Sequence, residues 1–362
     1  VIASSVQRIL RSNFPRLEVI VVDDGSTDGT SDIVRARFGA EPRVTLLTLA
    51  NGGKAAAVNA GLARARGDIV VALDADTQFE QGTIARLTRW FADPRIGAVA
   101  GNAKVGNRIN TLTRWQALEY ITAQNLERRA LATLGCITVV PGAVGAWRRE
   151  ALIRLGGFPS DTLAEDQDLT IAAQKAGYGV VFDPDAVAWT EAPDTLTGLA
   201  KQRFRWAFGT LQCLWKHGDA FLAPRYGALG LVAIPQIWLF QILLSLVSPF
   251  VDLMLISQIV GALIDYLQHG EQYDPSSLQL ACLYYALFIT TDLAAGTIAF
   301  LFEKNESGRL LWWLALQRFG YRQLMYYVVV KSVISAAKGH FVGWGKLERK
   351  ATVNALGDDF PV

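Results

Sequence analysis

Five consecutive residues, Gln202-Arg203-Phe204-Arg205-Trp206, bring an amide, two permanent cations and two aromatic rings together. On a helix, Gln202, Arg205 and Trp206 stand at i, i+3 and i+4 and share one face, which can grip a sugar and a diphosphate together. Three acidic groups stand upstream: Asp23-Asp24-Gly25-Ser26, Asp74-Ala75-Asp76 and Glu165-Asp166. Alternate carboxylates such as Asp74 and Asp76 suit a hard divalent cation that bridges nucleotide phosphates. A carboxylate at a helix start, Asp166, suits a general base that takes the proton of an acceptor hydroxyl as it attacks an anomeric carbon. Each group also has a plainer reading. Asp and Ser favour turns and N-caps, a lone Asp-x-Asp arises by chance, and Glu165-Asp166 complements a helix dipole for about 0.3 to 1 kcal/mol. Gln202 to Trp206 also fits an amphipathic surface helix whose arginine snorkels and whose tryptophan anchors at a bilayer surface. The order and spacing of all four in one chain favour the chemical reading.

The elements that must position these residues alternate. Leu17 to Val22 reads as a strand running into the turn at Asp23 to Gly29, which opens a helix containing Ile33, Val34 and Phe38. Arg43 to Leu49 is the next strand, Gly53 to Arg66 an Ala-rich helix, and Asp68 to Leu73 a third strand ending at Asp74. Strand–helix alternation predicts an α/β domain with a mostly parallel sheet, whose ligands bind beyond the carboxyl ends of the strands. Both Asp clusters sit at such ends, so they can meet in one cleft. Further on, Ile96 to Gly101, Tyr178 to Phe182 and Ala186 to Thr190 read as strands, Pro141 to Gly145 as a loop, and Glu165 to Gly177 as a helix. Val1 to Leu10 reads as a helix, and because such a sheet normally opens with a strand, an upstream strand is expected to be missing.

The 362 residues leave room for about two domains. The 51% hydrophobic content is concentrated after Tyr226. From Gly227 to Leu267 only Asp252 and Asp265 carry charge, and Pro235 and Pro249 interrupt the run. This fits one long kinked membrane passage or two short ones. Leu278 to Phe302 is a further span, and Leu324 to Ala337, with Lys331 inside it, is interfacial or a span whose lysine snorkels. Lys304, Arg309, Arg318 and Arg322 follow the second apolar segment, whereas no Lys or Arg stands between Gln268 and Ser277, which favours a single first crossing. We therefore expect a cytosolic domain over 1–216 and membrane and interfacial helices with a basic tail over 217–362. A net charge of +2 argues against a nucleic-acid partner, while the basic residues from Lys331 to Lys350 suit an anionic bilayer surface. Cys136, Cys213 and Cys282 offer neither a disulfide framework nor a CxxC zinc site.

Taken in order, the four clusters resemble the motif sites of the processive family 2 glycosyltransferases, the group of cellulose, chitin and hyaluronan synthases. Asn51-Gly52-Gly53-Lys54 and Pro141-Gly142-Ala143-Val144-Gly145 support that resemblance, and Gly343-Trp344-Gly345-Lys346, with Gln317 to Met325, is most similar to the bacterial branch that makes poly-β-1,6-N-acetylglucosamine. The resemblance implies a nucleotide-diphospho-sugar transferase (GT-A type) fold, a UDP-N-acetylglucosamine donor, a growing glycan acceptor and Mg2+ or Mn2+. It implies that Asp23 or Asp24 contacts the uridine, that Lys54 supports it or the phosphates, and that Asp76 with Asp74 holds metal and diphosphate. Asp166, beside Glu165, is then the base; Arg205, with Gln202 and Arg203, meets the diphosphate and acceptor, and Trp206 stacks beneath the acceptor sugar. It further implies a multi-pass protein of the bacterial inner membrane, with an accessory membrane subunit as a possible partner. Members of that group begin with a strand ending in a Pro-x-Tyr-Asn-Glu type motif, which is not found here. Alternatives are a cellulose-like synthase using UDP-glucose, a non-processive lipid glycosyltransferase, and an inactive membrane subunit that binds nucleotide.

Overall fold

The computed structural model describes residues 1–270, 274–303, 306–338 and 352–353. Lys304 and the tail from Gly343 to Lys350 lie outside the described residues. Helix α1 (Ile2–Leu10) precedes strand β1 (Val19–Asp24), α2 (Thr30–Phe38), β2 (Val44–Leu49), α3 (Lys54–Arg64) and β3 (Ile69–Ala72). These sit close to where periodicity places them. Next come β4 (Gln78–Phe79), α4 (Thr83–Arg89), β5 (Ile96–Val105), α5 (Thr111–Glu119), α6 (Leu126–Thr133), β6 (Gly145–Arg148), α7 (Arg149–Arg154), α8 (Glu165–Lys175), β7 (Gly179–Thr190) and α9 (Leu196–Lys216). The two strands expected at 178–182 and 186–190 are one strand, with a register break where Gly101 pairs Asp183 and Asn102 pairs Val187. Pro184, which cannot donate to a ladder, falls in that break.

The α/β class holds, but the sheet is not mostly parallel. β1 and β2 pair in parallel as a two-stranded unit, while the larger sheet has the order β3-β6-β5-β7-β4. Within it only β5 and β7 are parallel; β6 runs antiparallel to both β3 and β5, and β4 antiparallel to β7. Apolar periodicity reports that a segment is a strand and is silent on its direction, which depends on how the chain returns through α5 and α6. The antiparallel entry of β6 has a functional effect. Ala72 pairs with Gly145, so the chain leaving β3 toward Asp74 passes beside the loop entering β6 at Pro141 to Gly145.

The apolar C-terminal half begins inside the soluble body. A continuous helix, α10 (Leu229–His269), contains Pro235 and wide π-type turns at Leu229–Ala233 and Ile237–Leu243, features that bend a helix. Leu229, Ala233, Ile234, Ile237 and Ile242 are buried in the same core as Trp147, Leu169, Phe182 and Leu214. The boundary expected at residue 216 falls within this packing. The remaining 26 residues, Leu244–His269, bury none of their side chains and reach about 39 Å at 1.5 Å per residue, enough for one hydrocarbon crossing. The excess length that argued for two passages is thus taken up by protein core. Helix α11 (Ser276–Leu301) is the second of two helices, among the described residues, long and apolar enough to cross a bilayer. Short α12 (Trp312–Gln317) and α13 (Tyr321–Ala337) follow. α13 lies against α9, with Tyr321, Val328 and Ser332 buried and Lys331 Nζ 5.2 Å from the Phe204 ring centre.

Charge pairs fasten α11 to the sheet. Beyond its end, Glu303 meets Lys104 Nζ at 2.9 Å and Arg129 at 3.1 Å, and Glu306 meets Arg108 at 2.7 Å. The Lys104, Glu303 and Glu306 side chains are almost fully enclosed. Removing one member of a buried pair leaves the others desolvated. Glu303→Ala is therefore expected to destabilise the protein by about 3 kcal/mol, read as a lower thermal unfolding midpoint in detergent, whereas Glu306→Asp should cost far less.

Candidate active site

The loop that opens α3 organises the cleft. Gly53 has a φ of 87°, a conformation that favours glycine, and the backbone N–H groups of Gly52 and Gly53 donate to Asp24 Oδ1 and Oδ2 at 2.7 and 2.9 Å. Asn51 Nδ2 donates to the Asp24 carbonyl at 3.1 Å. Asp24 therefore ties the end of β1 to the residue before Lys54. Asp23 is 4% exposed; it accepts from Ser26 N–H at 2.8 Å and from the Ser31 hydroxyl. Burial works against its ionised form, but these donors outweigh it and hold the carboxyl below the ordinary aspartate value.

Lys54 joins the second and third acidic groups. Its Nζ lies 2.8 Å from Asp74 Oδ1 and 3.0 Å from Glu165 Oε1. Burial alone would favour loss of the ammonium proton, but Asp74, then Glu165 and Asp166, raise the Lys54 pKa above the ordinary lysine value. Burial pushes the Glu165 carboxyl upward against the pull of Lys54. Asp166 is held by backbone: Gly142 N–H donates to Oδ2 at 3.1 Å and Gln167 N–H to Oδ1 at 2.8 Å. A Cβ at Gly142 would stand 2.7 Å from Lys54 Nζ, so a side chain there would push the ammonium from its place under the loop. A small cavity beside them is lined by Lys54, Trp147, Phe158, Glu165 and Asp166. Asn59 brackets the backbone of Phe158, donating to its carbonyl at 2.8 Å and accepting from its N–H at 2.7 Å.

Asp76 is 5% exposed and sits in the turn that Thr77 N–H closes on the Asp74 carbonyl at 3.0 Å. Ser5 of α1 donates to the Thr77 carbonyl at 2.8 Å and buttresses this turn. Among the described residues no three His, Cys, Asp or Glu side chains cluster as a complete metal site. Two hard carboxylates a residue apart fit an ion that takes its remaining ligands from phosphate and water, as Mg2+ and Mn2+ do in nucleotide sites.

The helix bearing Gln202 to Trp206 is pressed onto the start of α8. Gly209 meets Ala164 so closely that a Cβ there would lie 2.8 Å from it. Thr210 donates to Gln167 Oε1 at 2.9 Å, and Gln212 accepts from Leu163 N–H at 2.8 Å. Trp206, 37% exposed, is one turn before Gly209 on the same helix, with its ring centre 6.4 Å from that of Tyr120. Gln202 is buried, and its Oε1 finds no hydrogen-bond partner among the described residues. Arg205 is partly exposed. Arg203, grouped with them by sequence, is enclosed and bound to Glu119 Oε2 at 2.7 Å, with its guanidinium 4.1 Å from the Trp206 ring centre. The structure thus gathers Lys54, Asp74, Glu165 and Asp166 directly, brings in Asp24 through a backbone, and leaves Asp23 and Arg203 facing internal partners. Sequence reasoning missed the Gly142 amide and Glu119. The glycine in Pro141-Gly142 is a usable signal, whereas nothing local distinguishes Glu119 from an ordinary helix acid.

Removing the ammonium tests this electrostatics. In Lys54→Met the Glu165 carboxyl is expected to rise further, so its contribution to folding, present below the ordinary value of 4.5, is lost as pH climbs through the raised folded value. The variant should unfold close to wild type near that pH and fall below it toward neutrality; a deficit that grows on acidification would reject the pairing.

Comparisons with known proteins agree with this geometry. The profile described as "Glycosyltransferase like family 2" matches residues 1–209. The chain is 28% identical over 250 residues to the poly-β-1,6-N-acetyl-D-glucosamine synthase of Staphylococcus aureus, covering 68% of this chain and 61% of that protein. It is 30% identical over 210 residues to that of Staphylococcus epidermidis, covering 58% of this chain and 51% of the relative. The matched region therefore spans only part of the length of these relatives. A mannosyltransferase from Pyrobaculum calidifontis, solved in complex with GDP-Man and Mn2+, superposes with a TM-score of 0.60 at 25% identity, over 93% of this chain and 83% of that one. With the GT-A-like fold, the acidic strand ends and a family match over more than half of its length, the chain belongs to glycosyltransferase family 2.

Proposed function

We propose that this protein is an inverting, processive glycosyltransferase that polymerises N-acetylglucosamine from UDP-N-acetylglucosamine into an exported β-1,6-linked polysaccharide. One observation carries the reading: Lys54 gathers Asp74 and Glu165 while Asp166, the next residue, is fixed by the Gly142 amide. This arrangement supports a reading in which Lys54 faces the diphosphate and Asp166 accepts the hydroxyl proton. The similarity to poly-β-1,6-N-acetyl-D-glucosamine synthases supports the choice of sugar.

In this reading the end of β1 contacts the nucleoside at Asp24, with Asp23 buried beneath it and shaping the turn, and Lys54 faces the phosphates. Asp74 and Asp76 would hold Mg2+ or Mn2+. The ion would neutralise charge on the departing diphosphate. The acceptor hydroxyl oxygen attacks the anomeric carbon from the face opposite the diphosphate. Its proton passes to an Asp166 carboxylate oxygen, and the bond from the sugar to the diphosphate breaks. Glu165 serves by holding Lys54. Arg205 offers a fixed cation to the leaving group, and Trp206 a flat ring beneath the acceptor sugar, with Gln202 at its edge. The catalytic body faces the cytosol, α10 from Leu244 onward and α11 cross the inner membrane, and an accessory membrane subunit is compatible with their exposed apolar sides.

Two outcomes are expected with the full-length protein in native membranes. Asp166→Asn should lower turnover by about 10²- to 10⁴-fold with UDP-sugar affinity nearly intact; equal losses of both would remove the base assignment. Chelating divalent ions should stop UDP release, with activity restored by Mg2+ or Mn2+. Labelled UDP-N-acetylglucosamine, UDP-glucose and GDP-mannose supplied in parallel, with linkage-specific digestion of the product, decide the donor, and incorporation of only one of the latter two would refute the sugar named above.

A further inference from the structure

The side chain stacked beneath Trp206 is itself held by a residue from the far end of the chain. Arg203 lies 4.1 Å from the Trp206 ring centre, and its Nε and Nη1 find no hydrogen-bond partner among the described residues. What fixes the guanidinium is Nη2, which donates to Glu119 Oε2 at 2.7 Å and to the Tyr321 hydroxyl at 3.4 Å. The Tyr321 hydroxyl in turn donates to the same Glu119 oxygen. Tyr321 is 3% exposed and packs on Trp115, with ring centres 5.9 Å apart. An enclosed arginine with two guanidinium nitrogens lacking hydrogen-bond partners among the described residues is poorly placed for its own hydrogen bonding. The arrangement favours the ring above it, through a cation–π contact that strengthens when desolvated.

The residues on either side of Tyr321 reach into the membrane helices. Arg318 Nη1 meets Asp292 Oδ2 of α11 at 3.0 Å, and Arg322 binds the same carboxylate. Asp292 stands roughly two and a half turns before the end of α11 at Leu301. Next in line, Gln323 donates to Asp252 of α10 at 3.2 Å. The stretch from Arg318 to Gln323 therefore grips both membrane helices with its flanks and the ring support with its centre.

We infer that Tyr321 is a positioning residue for the acceptor: with Glu119 it sets Arg203 against Trp206, and through Arg318 and Arg322 it holds that platform in register with α11. This rests on the reading of Trp206 as the acceptor platform and adds the element that orients it. Tyr321 and Glu119 touch no substrate. Their loss should therefore act on the acceptor alone.

The test uses full-length protein in membranes, with UDP-N-acetylglucosamine as donor and a short β-1,6-linked N-acetylglucosamine oligosaccharide as added acceptor. Tyr321→Phe keeps the ring and removes the hydroxyl. It is expected to raise the acceptor KM roughly three- to tenfold, less than the full effect of a lost hydrogen bond to a charged group because Tyr321 acts through Arg203, and to shorten the products, with donor KM unchanged. Glu119→Gln should act in the same direction, and serves if Tyr321→Phe accumulates poorly. Trp206→Ala separates the two readings. If Trp206→Ala raises the acceptor KM while Tyr321→Phe and Glu119→Gln match wild type, the inference fails and the platform stands. If Trp206→Ala leaves the acceptor KM unchanged, the platform reading itself falls and takes the inference with it. A parallel rise in donor KM and acceptor KM would mark Tyr321 as merely structural and overturn its positioning role.

Discussion

Everything in the cleft depends on one ammonium group kept charged where burial alone would discharge it. Lys54 Nζ sits between Asp74 and Glu165, which come from the end of β3 and the start of α8, about ninety residues apart in sequence. Without it, three carboxylates would face one another across a poorly solvated gap, and at least one would take up a proton rather than remain ionised. With it, the acidic strand end and the helix start are drawn to one point. The loop that delivers Lys54 is fixed by Asp24, and the loop that closes over it lays Gly142 against the ammonium. The first acidic cluster therefore acts on the second through the backbone, and this is a stronger link than proximity in a cleft.

The same logic, charge enclosed and matched, attaches the soluble body to the apolar helices. Glu303 and Glu306 are answered by Lys104, Arg108 and Arg129, and Asp292 is answered by Arg318 and Arg322. Such pairs add little net stability over well-packed apolar contacts, yet each is costly to break singly. They are suited to fixing orientation. The buried opening turns of α10 already fix that helix against the domain, and the paired charges on and just beyond α11 fix the second one.

Much of this was legible before any coordinates, for identifiable reasons. Short apolar runs ending in Asp mark strand ends, and strand ends are where α/β sheets bind ligands, so Asp23, Asp24, Asp74 and Asp76 could be located from pattern alone. Asp166 was legible because a helix start is. Strand direction was not, and β6, at four residues too short to show an alternation, was not read as a strand at all. Lys54 was read as a support for the nucleotide, since nothing in Asn51-Gly52-Gly53-Lys54 reveals that its partners are Asp74 and Glu165. Arg203 looked like part of the exposed platform, since its role is set by Glu119 and Tyr321, and Tyr321 lies 202 residues from that glutamate. Long-range polar pairs leave no local signature.

The burial of Ile234, Ile237 and Ile242 among the sheet and helix side chains bears on how the protein comes into being. A growing chain that has finished β7 and α9 still lacks part of its own hydrophobic interior, and that part arrives only with the opening turns of the long apolar helix that follows. Completion of the core is thus coupled to synthesis of that helix, and a chain stalled before it would leave an unfinished globule, with an apolar cleft open to chaperones.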